Sequence, residues 1–302
     1  MAVIGVDLGG TKISAALFSD AGEMISKEYK LLDGASGSAV VVAIADTILA
    51  LQARNPEARV EAIGICVPGI VYSKKQTVWA PNIPGWGNYP LSQDLRTILD
   101  DRSVRISIES DRTCYILGEV WKGAARGCTD AIYLAVGTGI GAGILIDGRI
   151  IHGASDIVGA TGWMALEQPY KDEFIPVGCF EYYASGNGIG GQAKLLYGDP
   201  TKSSYDVFEN YGKDPIATQI LDKAIGMWGM GAANLVSLFN PQKVIFGGGV
   251  FGPAVQFIGR IYSEAKRWGQ PIAMRSVEFC ASQVGGDAAL FGAAYLGIRD
   301  SL

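Results

Sequence analysis

The sequence predicts an α/β protein built of two similar halves. Short apolar runs alternate with stretches that are apolar at helical spacing, the pattern of a sheet covered by helices. Each half opens with a strand, a glycine-rich turn and a second strand. Hydrophobic residues fill 49% of the 302 positions and charged residues 18%, which excludes bulk disorder and supplies a substantial core. At about 150 residues per domain, the length suits two domains.

Residues 3–7 form a short apolar run that reads as a strand, 8–12 as a glycine hairpin and 13–18 as the returning strand. The turn Asp20-Ala21-Gly22 leads to a third strand near 23–30. Val40, Val41, Ile44, Ile48 and Leu51 recur at helical spacing and predict a helix over 39–54. Residues 62–67 read as a buried strand that stops at Pro68-Gly69. A helix over 91–99 and a strand over 104–109 follow.

The second half restarts the pattern with a strand at 131–136, a glycine turn at 137–141 and a strand at 142–146. Residues 215–240 predict a long helix, and 244–246 a strand running into three glycines. Residues 287–298 predict a closing helix. The stretch 152–178 reads as irregular loops.

Composition removes several function classes. Lys+Arg 25 against Asp+Glu 30 gives a net charge of −5, which lacks the broad basic face of a nucleic-acid binder. No run of about 18 apolar residues predicts a membrane helix, and the first residues carry no secretory signal. The five cysteines are scattered, odd in number and never spaced CxxC, which argues against a disulfide framework or a cysteine-rich zinc site. The expectation is a soluble, reduced, cytoplasmic protein. Glycine is the outlier: 41 residues is about twice the usual share of about 7%.

Those glycines cluster where chemistry is expected. In Asp7-Leu8-Gly9-Gly10-Thr11-Lys12, Gly9 and Gly10 let backbone N–H groups approach a phosphate, while Thr11 and Lys12 add a hydroxyl and a positive charge. Asp7 is placed to hold Mg²⁺ through water, because that ion dehydrates reluctantly. The bland reading is a hairpin whose glycines merely supply positive φ. Gly137, Thr138 and Gly139 form a second such turn at the matching point of the other half. Together the two suit a polyphosphate gripped from both sides of an interdomain cleft. Gly247, Gly248 and Gly249 suit a nucleotide base or ribose lying on backbone, and a plain strand-to-helix turn accounts for them equally well.

Eight segments in order then carry a resemblance: DLGGTK from Asp7, VPGIV from Val67, APNIPGW from Ala80, ESDRTCYILGE from Glu109, VGTGIGAGILIDG from Val136, GCFEYYASG from Gly178, FNPQKVIFGGGV from Phe239 and GGDAALFGAA from Gly285. Over essentially its whole length the chain resembles the ROK family, and in particular its free-standing sugar kinases. The resemblance implies a two-lobed actin/hexokinase-like (ribonuclease H-like) fold with the active site in the interdomain cleft. Lobe boundaries follow at 1–110 and 111–286, with the closing helix 287–302 returning to the first lobe. It also implies ATP with Mg²⁺, a sugar or polyol acceptor and a homodimer.

By the same resemblance Asp111 is the general base that takes the proton of the attacking hydroxyl; read alone, it is a helix N-cap. Asn82, Ser110, Trp163 and Glu181 fall where the family contacts its sugar. Ser110 stands in place of the usual Asn, Ala160 in place of a Glu and Trp163 in place of a His. Of the family's zinc cluster only Cys179 remains, and one thiolate cannot build a tetrahedral site. No structural zinc is expected, and the acceptor is expected to be something other than plain glucose. His152, the single histidine, reads as structural or surface, and Tyr182, Tyr183 and Trp228 as core.

Two other readings compete with the kinase. A sugar-responsive regulator of the family would carry a DNA-binding extension ahead of the strand at 3–7, for which this sequence leaves no room. A non-catalytic sugar-binding member would have no need to keep Asp111, both phosphate turns and Glu181.

Overall fold

The computed structural model describes residues 2–19, 21–101 and 103–299. Asp20, the first residue of the turn expected at 20–22, lies outside them. The chain divides into two compact units. The first spans Met1–Gly123, His152–Ile157 and Asp287–Leu302, and the second Ala124–Ile151 and Val158–Gly286.

The first unit begins with strands β1 (Ala2–Leu8), β2 (Lys12–Ser19) and β3 (Met24–Leu31), followed by helix α1 (Ser38–Arg54) and strand β4 (Val60–Val67). A small antiparallel pair, β5 (Ile70–Tyr72) and β6 (Thr77–Trp79), precedes helix α2 (Leu91–Leu99), strand β7 (Arg105–Ser110) and helix α3 (Asp111–Lys122). The main sheet runs β3-β2-β1-β4-β7, with β1–β2 and β2–β3 antiparallel and β1–β4 and β4–β7 parallel. Ile4, Val6, Ile63 and Ile65 are buried with Val40, Val41, Ile44 and Ile48 of α1, which explains the apolar spacing of that helix.

The second unit repeats this plan. Strands β8 (Ala131–Val136), β9 (Ile140–Ile146) and β10 (Arg149–Ile150) lead into helices α4 (Cys179–Ala184), α5 (Gly186–Tyr197), α6 (Ser204–Asn210) and α7 (Pro215–Phe239). Strand β11 (Lys243–Gly247), helices α8 (Ile258–Trp268) and α9 (Ala273–Ser276) and strand β12 (Glu278–Ala281) complete it. The sheet order β10-β9-β8-β11-β12 has the same pattern of antiparallel and parallel pairs as the first. Trp228 of α7 is fully buried, and its indole N–H donates to the Ala184 carbonyl at 3.0 Å. Between β10 and α4 the chain is irregular apart from short 3-10 turns at Thr161–Trp163 and Asp172–Phe174.

Helix α10 (Ala288–Arg299) closes the chain and packs in the first unit on β1, β4 and α3. The contact is backbone to backbone. A Cβ on Gly64 of β4 would collide with the Ala293 carbonyl, and one on Gly118 of α3 with that of Ala288. Part of the glycine excess is therefore structural and lets two helices lie flush under the sheet. That packing also keeps α3 in the first unit, which extends to Gly123 rather than ending at 110.

Candidate active site

The parallel strands of the first unit align their carboxyl ends. Asp7 on β1 stands opposite Cys66 on β4, which stands opposite Glu109 on β7. Ligands of open α/β sheets gather at such ends. Asp7 is half-buried, and burial raises its carboxyl above the ordinary range. A hydrogen bond with the Cys66 thiol and the charge of Lys12 oppose that rise. The Gly9 N–H donates to the Lys12 carbonyl at 2.9 Å and closes the hairpin, leaving Gly10, Thr11 and Lys12 exposed.

Asn82 stands beside this hairpin, since a Cβ on Gly10 would meet its Cβ at 3.4 Å. The loop that presents Asn82 is closed by the Ala80 N–H on the Trp86 carbonyl at 2.9 Å. Trp86 is buried, donates its indole N–H to the Gly37 carbonyl at 3.0 Å and stacks on Tyr89 at 4.9 Å.

Strand β7 passes into α3 without a loop. Ser110 ends the strand and caps the helix, its hydroxyl accepting the Thr113 N–H at 3.4 Å and lying 3.2 Å from the Thr113 hydroxyl. The capping role open to Asp111 thus falls to Ser110, because the residue before the first helical one has the extended backbone a cap requires. Asp111 is the first helical residue, and its Oδ1 accepts the Arg112 N–H at 2.8 Å. Burial pushes its pKa up to about 6, against the pull of the neighbouring Arg112 charge and with a push from Asp7. Carboxylates poised in this range suit general-base work near neutrality.

In the second unit the turn between β8 and β9 is closed by the Gly137 N–H on the Gly139 carbonyl at 3.0 Å, and Thr138 at its tip is exposed. Glu181 in the first turn of α4 accepts the Ile140 N–H at 2.6 Å through Oε2. Burial raises its carboxyl, and that N–H opposes the rise. Two glycines make room for it, since a Cβ on Gly139 would lie 2.6 Å from Glu181 Oε2 and one on Gly162 2.9 Å. Trp163, next to Gly162, is 58% exposed.

The three glycines at the end of β11 differ from one another. Gly247 ends the strand against the Tyr133 hydroxyl, and Gly248 has φ +89 with the Val136 carbonyl beside it. Gly249 is bare, and its amide nitrogen is the first atom a Cβ on Gly137 would meet, at 4.0 Å. The Gly137 turn therefore comes near the backbone of Gly249, and a Cβ on Gly249 would enter open space. That cradle fits a phosphate or ribose held on backbone.

Among the described residues no three His, Cys, Asp or Glu side chains stand together as a metal cage. Mg²⁺ needs only one or two carboxylates alongside nucleotide phosphates, and Asp7 fits that role. Cys179 is buried in the apolar core at the start of α4. Sequence reasoning missed the Cys66 thiol on Asp7. It also missed Asp287, which lies in the field of Asp7 and pairs with Lys27 at 2.6 Å. A third omission is the pair formed by His152 and Glu109, 2.7 Å apart. The register of β1 on β4 brings Cys66 to Asp7, whereas Asp287 and His152 arrive from a 3-10 turn and an irregular segment outside the strands.

The model of the ROK family matches residues 3–300. A glucokinase of Thermotoga maritima is 30% identical, over 97% of this chain and 96% of that protein. Among solved structures, a ROK hexokinase from Thermus thermophilus superimposes with a TM-score of 0.86 at 29% identity, covering 100% of this chain and 99% of the other. A ROK glucokinase from Streptomyces griseus, in complex with glucose and AMPPNP, gives a TM-score of 0.76 at 28% identity, covering 99% and 100%. The fold is the actin/hexokinase-like one expected from the sequence.

Proposed function

This chain belongs to the ROK family, and we propose that it works there as a sugar kinase, transferring the γ-phosphoryl group of ATP to a hydroxyl of a hexose or sugar-like polyol. The observation that carries the mechanism is Asp111. It stands at a helix start that another residue caps, with its pKa pushed up to about 6. A carboxylate so held accepts the proton of the attacking hydroxyl as the new bond forms. Phosphoryl transfer asks little else of a protein beyond positioning and charge stabilisation.

The remaining roles follow from where backbone is bare and where side chains are free. Gly9, Gly10, Thr11, Lys12, Gly137, Thr138 and Gly139 are the residues read as binding phosphate. Gly247, Gly248 and Gly249 carry the nucleoside. Mg²⁺, held through water by Asp7, would neutralise phosphate charge. Asn82, Trp163 and Glu181 bind the acceptor. Ser110, whose hydroxyl is committed to Thr113, serves the acceptor by aiming Asp111. Mg²⁺ as the ion and a homodimeric state follow from the family resemblance, and a cytoplasmic setting from the scattered cysteines and the lack of a signal or membrane segment in the sequence.

An ADP-release assay with ATP and Mg²⁺ against hexoses, amino sugars, N-acetyl sugars, disaccharides and cyclitols tests the reading. Turnover on at least one member is expected, and no turnover on any would overturn it.

A further inference from the structure

We propose that His152 is a positioning residue for Asp111, acting through Glu109, and that its protonated form does this work. The inference rests on the reading of Asp111 as the base. His152 Nε2 lies 2.7 Å from Glu109 Oε1. The other oxygen of the same carboxylate, Oε2, accepts the Ser110 N–H at 3.3 Å. Ser110 in turn caps the helix whose first residue is Asp111. An unbroken series of contacts thus runs from the imidazole to the backbone that aims the base.

An exposed ion pair alone contributes little. Two features set this one apart. Glu109 is 19% exposed at its side chain, so water screens the pair only in part. The segment bearing the histidine is also fixed. His152–Ile157 packs in the first unit although the chain on either side of it belongs to the second. Asp156 anchors it, accepting the Ser73 N–H at 3.1 Å and the Ser73 hydroxyl at 3.0 and 3.1 Å. Asp156 does so with φ +59, a left-handed conformation that persists in a non-glycine residue where the surroundings fix it.

The charges facing His152 are Glu109 from β7, Asp156 from its own segment and Arg299 from α10. The hydrogen bond with Glu109 is the largest influence and holds the imidazolium above its ordinary range, with burial and Arg299 opposing. As pH rises, Asp111 gives up its proton at about 6 and becomes able to act. His152 gives up its own at higher pH and slackens its hold on Glu109. Between the two lies the window in which both are in working form.

The test is kcat/KM for the best acceptor against pH at saturating Mg²⁺-ATP, for the wild type, His152→Gln and Glu109→Gln. This quantity reports the ionisations of the enzyme before acceptor binds. The wild type should rise near pH 6 and fall again on the alkaline side. His152→Gln, which stays neutral, should keep the acid limb and lose the alkaline one. Its plateau should lie roughly tenfold below the wild-type maximum, short of the ~10²-fold that a 1 Å misplacement can cost, with kcat falling more than KM. Glu109→Gln should behave alike and guards against an effect peculiar to the first variant. An alkaline limb missing from the wild type, or retained in both variants, overturns the proposal. Loss of the acid limb from the wild type instead overturns Asp111 as base, so the two failures are distinguishable.

Discussion

The carboxylate of Glu181 accepts a 2.6 Å hydrogen bond from the Ile140 N–H, so the α4 residue proposed to hold the acceptor is tied to the hairpin proposed to hold phosphate. Glu181→Gln should keep an acceptor for that N–H but lose the charge. Hydrogen bonds to charged groups contribute about 1.5–3 kcal/mol, so acceptor kcat/KM should fall roughly 10–100-fold with little change in the KM for ATP. Unchanged acceptor kinetics would remove Glu181 from the binding set.

The same contact separates two glycines of one turn. A Cβ on Gly139 would lie 2.6 Å from Glu181 Oε2, whereas one on Gly137 meets nothing nearer than the Gly249 nitrogen at 4.0 Å. Gly139→Ala should displace the carboxylate and weaken acceptor and ATP together. Gly137→Ala should leave Tm and acceptor binding alone and raise the KM for ATP, because it narrows the approach to backbone. Equal behaviour of the two in steady-state kinetics would contradict the division of labour.

Trp163 presents a large ring that is 58% exposed, a surface suited to stacking on a sugar. Trp163→Ala should preserve Tm and reorder the acceptor ranking. Glucose is expected at least about tenfold below the best acceptor in kcat/KM, the effect of losing one or two hydrogen bonds at about 0.5–1.5 kcal/mol each. Glucose at the head of the ranking, or a profile unchanged in shape, would contradict this.

Zinc should be far below one per chain in protein purified without added metal. Cys179 is buried among Phe174, Phe180 and Tyr183 rather than set in a ligand cluster. Elemental analysis after dialysis against chelator decides, and stoichiometric zinc surviving that treatment would refute the expectation.

The repeated strand–turn–strand units were legible because each is written locally: an apolar run, glycines, another apolar run. Helix α1 was legible from its spacing for the same reason. The helices between Cys179 and Asn210 were not, because α4 and α6 are only six and seven residues long and Gly186, Gly188, Gly190 and Gly191 blur the apolar period of α5. At the site, Asp111 and the glycine turns stood out as motifs. The contacts that tune them did not: Cys66 reaches Asp7 only once β1 and β4 are in register, and His152 reaches Glu109 only because residues 152–157 pack in the first unit.

The most direct measurement is the turnover of Asp111→Asn on the best acceptor, with thermal unfolding recorded beside it. A general base contributes about 10²–10⁴-fold, so kcat should fall by that factor. Burial raises the folded-state pKa to about 6, so ionised Asp111 costs stability above that pH. At pH 8 the neutral amide should therefore leave Tm equal to or above that of the wild type. A folded variant with near-normal turnover would contradict the account.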